Sequence, residues 1–239
     1  MFGDLGSFKI INKINRFSYN SRRFYKKKIV ICVPNTLISS FKKKLSSRNI
    51  LLGAQNCHFY QEYGPFTGYV NASMLKKAGA EYIILGHSEN RREGESNELI
   101  KKKIKSALNK KLNIIFCIGE TSKEKKQGKT FSIIRNQIKK SLEKKFKLNK
   151  IIIAYEPVWS IGTNKIPKMS ELQSIIKFIK NEFKKLFKTK IYPKVLYGGS
   201  VNAKNINLFT SINEIDGFLI GGASQSSKKF IDIIKNYYK

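Results

Sequence analysis

Short apolar runs rich in β-branched residues alternate along this chain with longer stretches of helical period. Eight such runs can be placed, at residues 5–9, 29–33, 50–54, 82–86, 113–117, 151–155, 194–197 and 217–220. The first is the weakest. Most are apolar at both alternating positions, the pattern of strands covered by helices on one face and by packed side chains on the other. Between them, Met169, Leu172, Ile175, Ile176, Ile179, Phe183 and Leu186 recur at steps of three and four on an otherwise Lys-rich segment, which predicts one amphipathic helix. Ile100, Ile104, Ala107 and Leu108 make a second stripe, and Ile134, Ile138 and Leu142 a third. Strand and helix alternating in this way predict a parallel α/β sheet, and eight units predict a (β/α)8 barrel closed on itself with no free sheet edge.

The 239 residues suit one such barrel, which runs to about 250 residues as a single unit. No Gly/Ser/Pro linker divides the chain, so residues 1–239 are read as one domain. With 41% apolar and 26% charged residues the composition is globular. Lys or Asn interrupts every hydrophobic stretch before the roughly 20 residues a bilayer span requires. Cys32, Cys57 and Cys117 are odd in number, widely spaced and free of C-x-x-C pairing, which points to neither a disulfide framework nor a zinc site and favours a cytoplasmic setting. Residues 8–28 are basic and free of acid, as transit segments are, yet removing them would remove a strand the barrel needs.

A formal net charge of +31 raises nucleic acid or an anionic membrane as a partner. Lysines are spread over nearly every segment instead of forming one stripe interleaved with aromatics, so the reading is a solvated Lys-rich surface whose field favours an anionic substrate. Neither membrane nor nucleic acid is expected as a partner.

In a barrel the chemistry sits where strands end. The fourth run leads into Gly86-His87-Ser88-Glu89-Asn90-Arg91 and the sixth into Glu156-Pro157-Val158-Trp159-Ser160-Ile161-Gly162-Thr163. The seventh leads into Gly198-Gly199-Ser200-Val201 and the eighth into Gly221-Gly222-Ala223-Ser224. A carboxylate and an imidazole at two strand ends can serve as base and electrophile for a proton next to a carbonyl. Glycines admit backbone N–H groups close to an anion.

In this order, with Gly53-Ala54-Gln55-Asn56 and Gly64-Pro65-Phe66-Thr67-Gly68, these stretches resemble the triosephosphate isomerase family from about Ile29 onward. The resemblance implies a (β/α)8 barrel that interconverts dihydroxyacetone phosphate and glyceraldehyde 3-phosphate, in glycolysis and gluconeogenesis, with no metal and no organic cofactor. It implies Glu156 as the base and His87 as the neutral electrophile, a pairing for which the family is itself the standard illustration. Glu89 corresponds to an acid that orients the catalytic groups. Gly162, Ser200, Gly221 and Gly222 supply phosphate donors, and residues 157–167 form a closing lid. His58, the other histidine, is read as an incidental surface residue.

Gly6-Ser7-Phe8-Lys9-Ile10-Ile11 is the best match to the family's Gly-Asn-Trp-Lys-Met-Asn opening. By resemblance Lys9 stabilises negative charge in the site, and Ser7 stands where the family has Asn. Tyr69 and Asn90 replace an acid and an arginine that pair across a dimer interface. With both charges gone none is orphaned, and a homodimer is expected through the loop at 64–68, with Thr67 inserted into the neighbour. Asn164 replaces a lid glycine. Other readings are another phosphate-binding barrel isomerase or epimerase, which leaves His87 with Glu156 unexplained, and a catalytically impaired barrel that binds nucleic acid or another anion.

Overall fold

A computed structural model describes residues 3–21, 28–45 and 50–238. Part of the basic N-terminal segment, residues 22–27, therefore lies outside the described residues.

Seven strands form one sheet: β1 (Ile29–Val33), β2 (Ile50–Ala54), β3 (Tyr82–Leu85), β4 (Asn113–Ile118), β5 (Ile151–Tyr155), β6 (Lys194–Tyr197) and β7 (Gly217–Phe218). They pair in sequence order, and every pairing is parallel. The β1–β2 register sets Ile29 beside Ile50 and Val33 beside Ala54, and the β4–β5 register sets Ile114 beside Ile151 and Ile118 beside Tyr155. All carboxyl ends therefore face one rim.

The helices are α1 (Phe8–Asn20), α2 (Ile38–Lys44), α3 (Ala72–Ala78), α4 (Ser88–Arg92), α5 (Asn97–Asn109), α6 (Ser122–Lys126), α7 (Thr130–Ser141), α8 (Met169–Phe187) and α9 (Ser227–Tyr237). Their starts are capped as the residues dictate. The Leu99 N–H donates to Ser96 Oγ ahead of α5, and Thr121 with Glu124 closes a reciprocal capping box on α6. On α8, Leu172, Ile175, Ile176, Ile179 and Phe183 are buried, each contributing about 1.5–3 kcal/mol against exposure.

Strand parity separates two apolar layers. Ile83, Leu85, Ile114, Phe116, Ile118, Ile151, Ile153 and Tyr155 pack against the helices. Their alternates Tyr82, Ile84, Ile115, Cys117, Ile152, Ala154 and Leu196 cluster on the inner face.

The strand expected at residues 5–9 is not formed. Residues Leu5–Ser7 make a 3-10 turn that runs directly into α1. The Ser7 N–H donates to Asp4 Oδ1 at 3.0 Å and the Asp4 N–H to Ser7 Oγ at 3.1 Å, which is a helix-start device. Ile11, Ile14, Asn15 and Ser18, spaced by three and four, are the buried positions of α1. The local period is thus helical, and the expected eight-strand closure appears among the described residues as seven strands, with no ladder joining β7 to β1.

Candidate active site

Glu156 continues the inner-face series Ile152, Ala154 one step past β5, so its side chain enters the mouth of the sheet. It is buried. Its backbone is drawn toward β4 by a bond from the Glu156 N–H to Ile118 O at 2.7 Å. Two glycines make room for it. A Cβ on Gly119 would collide with the Glu156 carbonyl, and one on Gly198 would stand 2.7 Å from Glu156 Cγ.

His87 follows β3 and caps α4. Its Nδ1 accepts the Glu89 N–H at 3.3 Å, and its Nε2 lies 3.3 Å from Glu156 Oε1. Because Nδ1 accepts, the ring proton sits on Nε2 and points at the carboxylate, which makes His87 a neutral donor. The Glu89 carboxylate stands 3.8 Å from Nδ1 and is largely exposed, so what this residue presents to the ring is its backbone amide rather than its charge.

Burial pushes the Glu156 carboxyl above its ordinary range; His87, the Cys117 thiol, the Ser88 amide and Arg91 pull it back in part. A carboxylate short of solvation is a stronger base. Arg91 holds the surrounding strands together, donating from Nε to Gly86 O at 2.7 Å, from Nη2 to Cys117 O at 3.2 Å and from Nη1 to Asn97 Oδ1 at 2.8 Å.

Residues 157–167 leave this site and return to α8. Trp159 donates from Nε1 to Glu120 at 2.8 Å, and Tyr155 donates its hydroxyl to the same carboxylate at 3.1 Å. Lys125 stands 4.0 Å above the Trp159 ring and bonds Glu171 at 2.7 Å. Burial raises the Glu120 carboxyl, with the Trp159, backbone and Tyr155 hydrogen bonds acting against it. Ser160 anchors the far side of the segment through Lys165, Tyr197 and Ser200. Gly162 and Asn164 both adopt left-handed backbone, at φ +69° and +59°, and Asn is among the few non-glycine residues that do so readily.

Gly221 and Gly222 open the turn before α9, and nothing lies within 4 Å of where either would carry a Cβ, so an anion can approach that backbone.

Ser7 and Lys9 do not join this group. Ser7 is spent on the Asp4 box, and Lys9 lies exposed on α1 rather than at a strand end, because residues 5–9 are helical. His58 also departs from expectation. It is half-buried, and its ring packs against Phe59, Tyr60, Phe66 and Tyr69 at centroid distances of 4.5–5.5 Å.

Sequence reasoning missed Glu120, Arg91, Tyr197 and Ser160 as parts of the site. Glu120 had a readable signal, since it is a lone acid just beyond the apolar run Ile114 to Ile118.

A parallel α/β barrel sheet with a buried carboxylate facing a neutral imidazole at its carboxyl rim is the apparatus of an enzyme that moves protons at carbon. Residues 3–237 match the family model described as Triosephosphate isomerase. The chain is 42% identical over 228 residues to a triosephosphate isomerase of Dictyoglomus thermophilum, covering 93% of this chain and 91% of that one. Its identity to the enzyme of Carboxydothermus hydrogenoformans is 43% over 212 residues, covering 87% and 84%. The crystal structure of triosephosphate isomerase from Bartonella henselae superposes with a TM-score of 0.89 at 36% identity, covering all of this chain and 96% of that one. The chain belongs to the triosephosphate isomerase family: it is an isomerase that interconverts dihydroxyacetone phosphate and glyceraldehyde 3-phosphate.

Proposed function

We propose that Glu156 and His87 carry the proton transfer, a reading supported above all by the 3.3 Å contact between His87 Nε2 and the buried Glu156 Oε1. The single Nε2 proton cannot serve the carboxylate and a substrate carbonyl equally. An arriving carbonyl oxygen accepts the Nε2–H hydrogen bond in place of the carboxylate, and Glu156, released from it, becomes the base. Glu156 removes the proton from the carbon beside the carbonyl, the Nε2 proton of His87 passes to the enediolate oxygen while the neighbouring hydroxyl gives its proton back to the imidazole, and Glu156 delivers its proton to the former carbonyl carbon. Glu89 fixes the imidazole tautomer through its amide. Ser200, Gly162, Gly221 and Gly222 offer the phosphate backbone donors without bulk. Ser7 and Lys9 have no part in this scheme.

A homodimer through the loop at 64–68 fits the exposed Tyr60, Tyr63 and Tyr69 gathered there. Aromatic surface of that kind is what protein interfaces enrich. The field of a +31 chain favours capture of a phosphate dianion. A cytoplasmic setting agrees with three free cysteines, of which burial pushes Cys32 and Cys57 up to about 12. No helix among the described residues is long and apolar enough to cross a membrane.

The reading is tested by assaying the chain with glyceraldehyde 3-phosphate alongside His87→Ala. The substitution is expected to lower kcat at least about 100-fold, the lower end of the range for losing a proton-transfer or oxyanion partner; unchanged turnover overturns the assignment. Sedimentation equilibrium decides between monomer and dimer.

A further inference from the structure

Ser160 is fully buried at the base of the lid, and its hydroxyl is surrounded by three partners. Oγ lies 2.5 Å from Lys165 O, 3.1 Å from Tyr197 Oη and 3.2 Å from the Ser200 N. A hydroxyl owns one proton and can accept two. The Lys165 carbonyl can only accept, so it takes that proton. Tyr197 Oη and the Ser200 N–H therefore both donate to Ser160 Oγ. Burial pushes the Tyr197 hydroxyl up to about 12, partly offset by Ser160, so Tyr197 is a neutral donor. Gly199 lets the three groups converge, since a Cβ there would strike both Tyr197 Oη and Ser160 Oγ.

The arrangement has a consequence for ligand binding. Ser200 N–H is a donor assigned above to the substrate phosphate, yet here it is spent on a lid residue. We propose that Ser160 Oγ is a placeholder for a phosphoryl oxygen: it satisfies the Ser200 amide until an arriving phosphate displaces it. The exchange couples anion capture to lid movement, because the same hydroxyl holds Lys165 near the far end of the lid. It also sets a penalty on binding, since one hydrogen bond must break before another forms. Ser160 is thus a positioning residue that tunes affinity, and it touches no reacting carbon. This rests on the assignment of Ser200 to the phosphate site.

Trp159, the sole tryptophan, adjoins Ser160 and reports on the lid by fluorescence. Inorganic phosphate is titrated into the full chain, Ser160→Ala, Ser160→Cys and Thr163→Ala. Ser160→Cys keeps nearly the same volume with a weaker acceptor and guards against misfolding of the alanine variant. Thr163 bonds within the lid, to Trp159 O, Ser160 O and Lys165 N, so its loss loosens the lid at the Ser160 backbone while leaving Ser160 Oγ on the Ser200 amide.

Both Ser160 variants are expected to bind phosphate about five-fold more tightly, the worth of one ordinary hydrogen bond no longer broken. Thr163→Ala is expected to leave the midpoint in place. A purely structural serine would lower the melting temperature and leave phosphate affinity unmoved or weaker, and that result overturns the proposal. An equal shift in Thr163→Ala overturns it too, by reducing the effect to general loosening. Absence of any phosphate response in the unaltered chain removes the anion cradle itself. An unshifted midpoint in a chain that turns over glyceraldehyde 3-phosphate removes only the placeholder.

Discussion

Replacing Gly198 with alanine tests how closely Glu156 must be held. A Cβ built on Gly198 lies 2.7 Å from Glu156 Cγ, 3.4 Å from Tyr155 O and 3.5 Å from Glu156 Oε1. The second and third contacts are ordinary; the first is not. Carbon atoms rest at about 3.5–4.0 Å, so the Glu156 methylene must give way by roughly 1 Å. It cannot retreat on the other side, where Gly119 packs against the Glu156 backbone. The displacement therefore passes to the carboxylate, 3.3 Å from His87 Nε2. A misplacement of about 1 Å costs roughly 100-fold in rate, or about 2.7 kcal/mol in the barrier. The contact falls on the base, while of the proposed phosphate donors only Ser200 shares the Gly198 turn, so kcat should fall far more than KM rises. Steady-state assays with glyceraldehyde 3-phosphate separate the two constants, and circular dichroism monitors the fold. A folded Gly198→Ala with kcat within three-fold of the parent would refute the claim that this contact positions the base.

Other outcomes follow from the same geometry. Glu156→Asp withdraws the carboxylate by about one C–C bond, near 1.5 Å, and should lower kcat at least 100-fold while the melting curve stays cooperative; a smaller loss argues against Glu156 as base. Since the base must be ionised and burial raises its carboxyl above 4.5, kcat/KM should fall on an acid limb above that value, at pH where fluorescence shows the chain still folded; a limb at or below 4.5 contradicts the assignment. Glu120 is likewise raised above 4.5: the folded state holds its proton more tightly than the unfolded chain, so its ionisation erodes stability as pH climbs through the raised value. Glu120→Gln should then gain thermal stability relative to the parent at pH 7.5 but not at pH 4.5, and an equal difference at both would contradict this. Lys188 ends α8 in left-handed backbone at φ +48° and ψ +45°, a conformation costing a non-glycine residue about 1–2 kcal/mol; Lys188→Gly should raise stability by about 1 kcal/mol, read from denaturant midpoints.

Much of the site could be read from local pattern. His87 and Glu156 were legible because each directly follows a β-branched apolar run, and residues beyond strand ends share one rim whenever the strands are parallel. The helix α8 was legible because a stripe of seven apolar residues at steps of three and four has one geometric solution. Lys9 was misplaced for the opposite reason. Residues 5–9 are too few to distinguish a strand from the first turn of a helix, and the deciding feature is a reciprocal bond between Asp4 and Ser7. Glu120 was overlooked because its partners, Tyr155 and Trp159, are more than thirty residues away in sequence.

The chain by itself therefore determined the periodicities, the order of strands and helices from residue 29 onward, the rim that holds the candidate site and the family. These depend on side-chain spacing and on residues adjacent in sequence. Only the tertiary structure decided that seven strands form the sheet among the described residues, which proton His87 carries, how Gly198 and Gly119 confine Glu156, and what Ser160 holds. Each of those depends on atoms brought within a few ångströms from distant segments, and the hydrogen-bonding and exclusion that result have no one-dimensional trace.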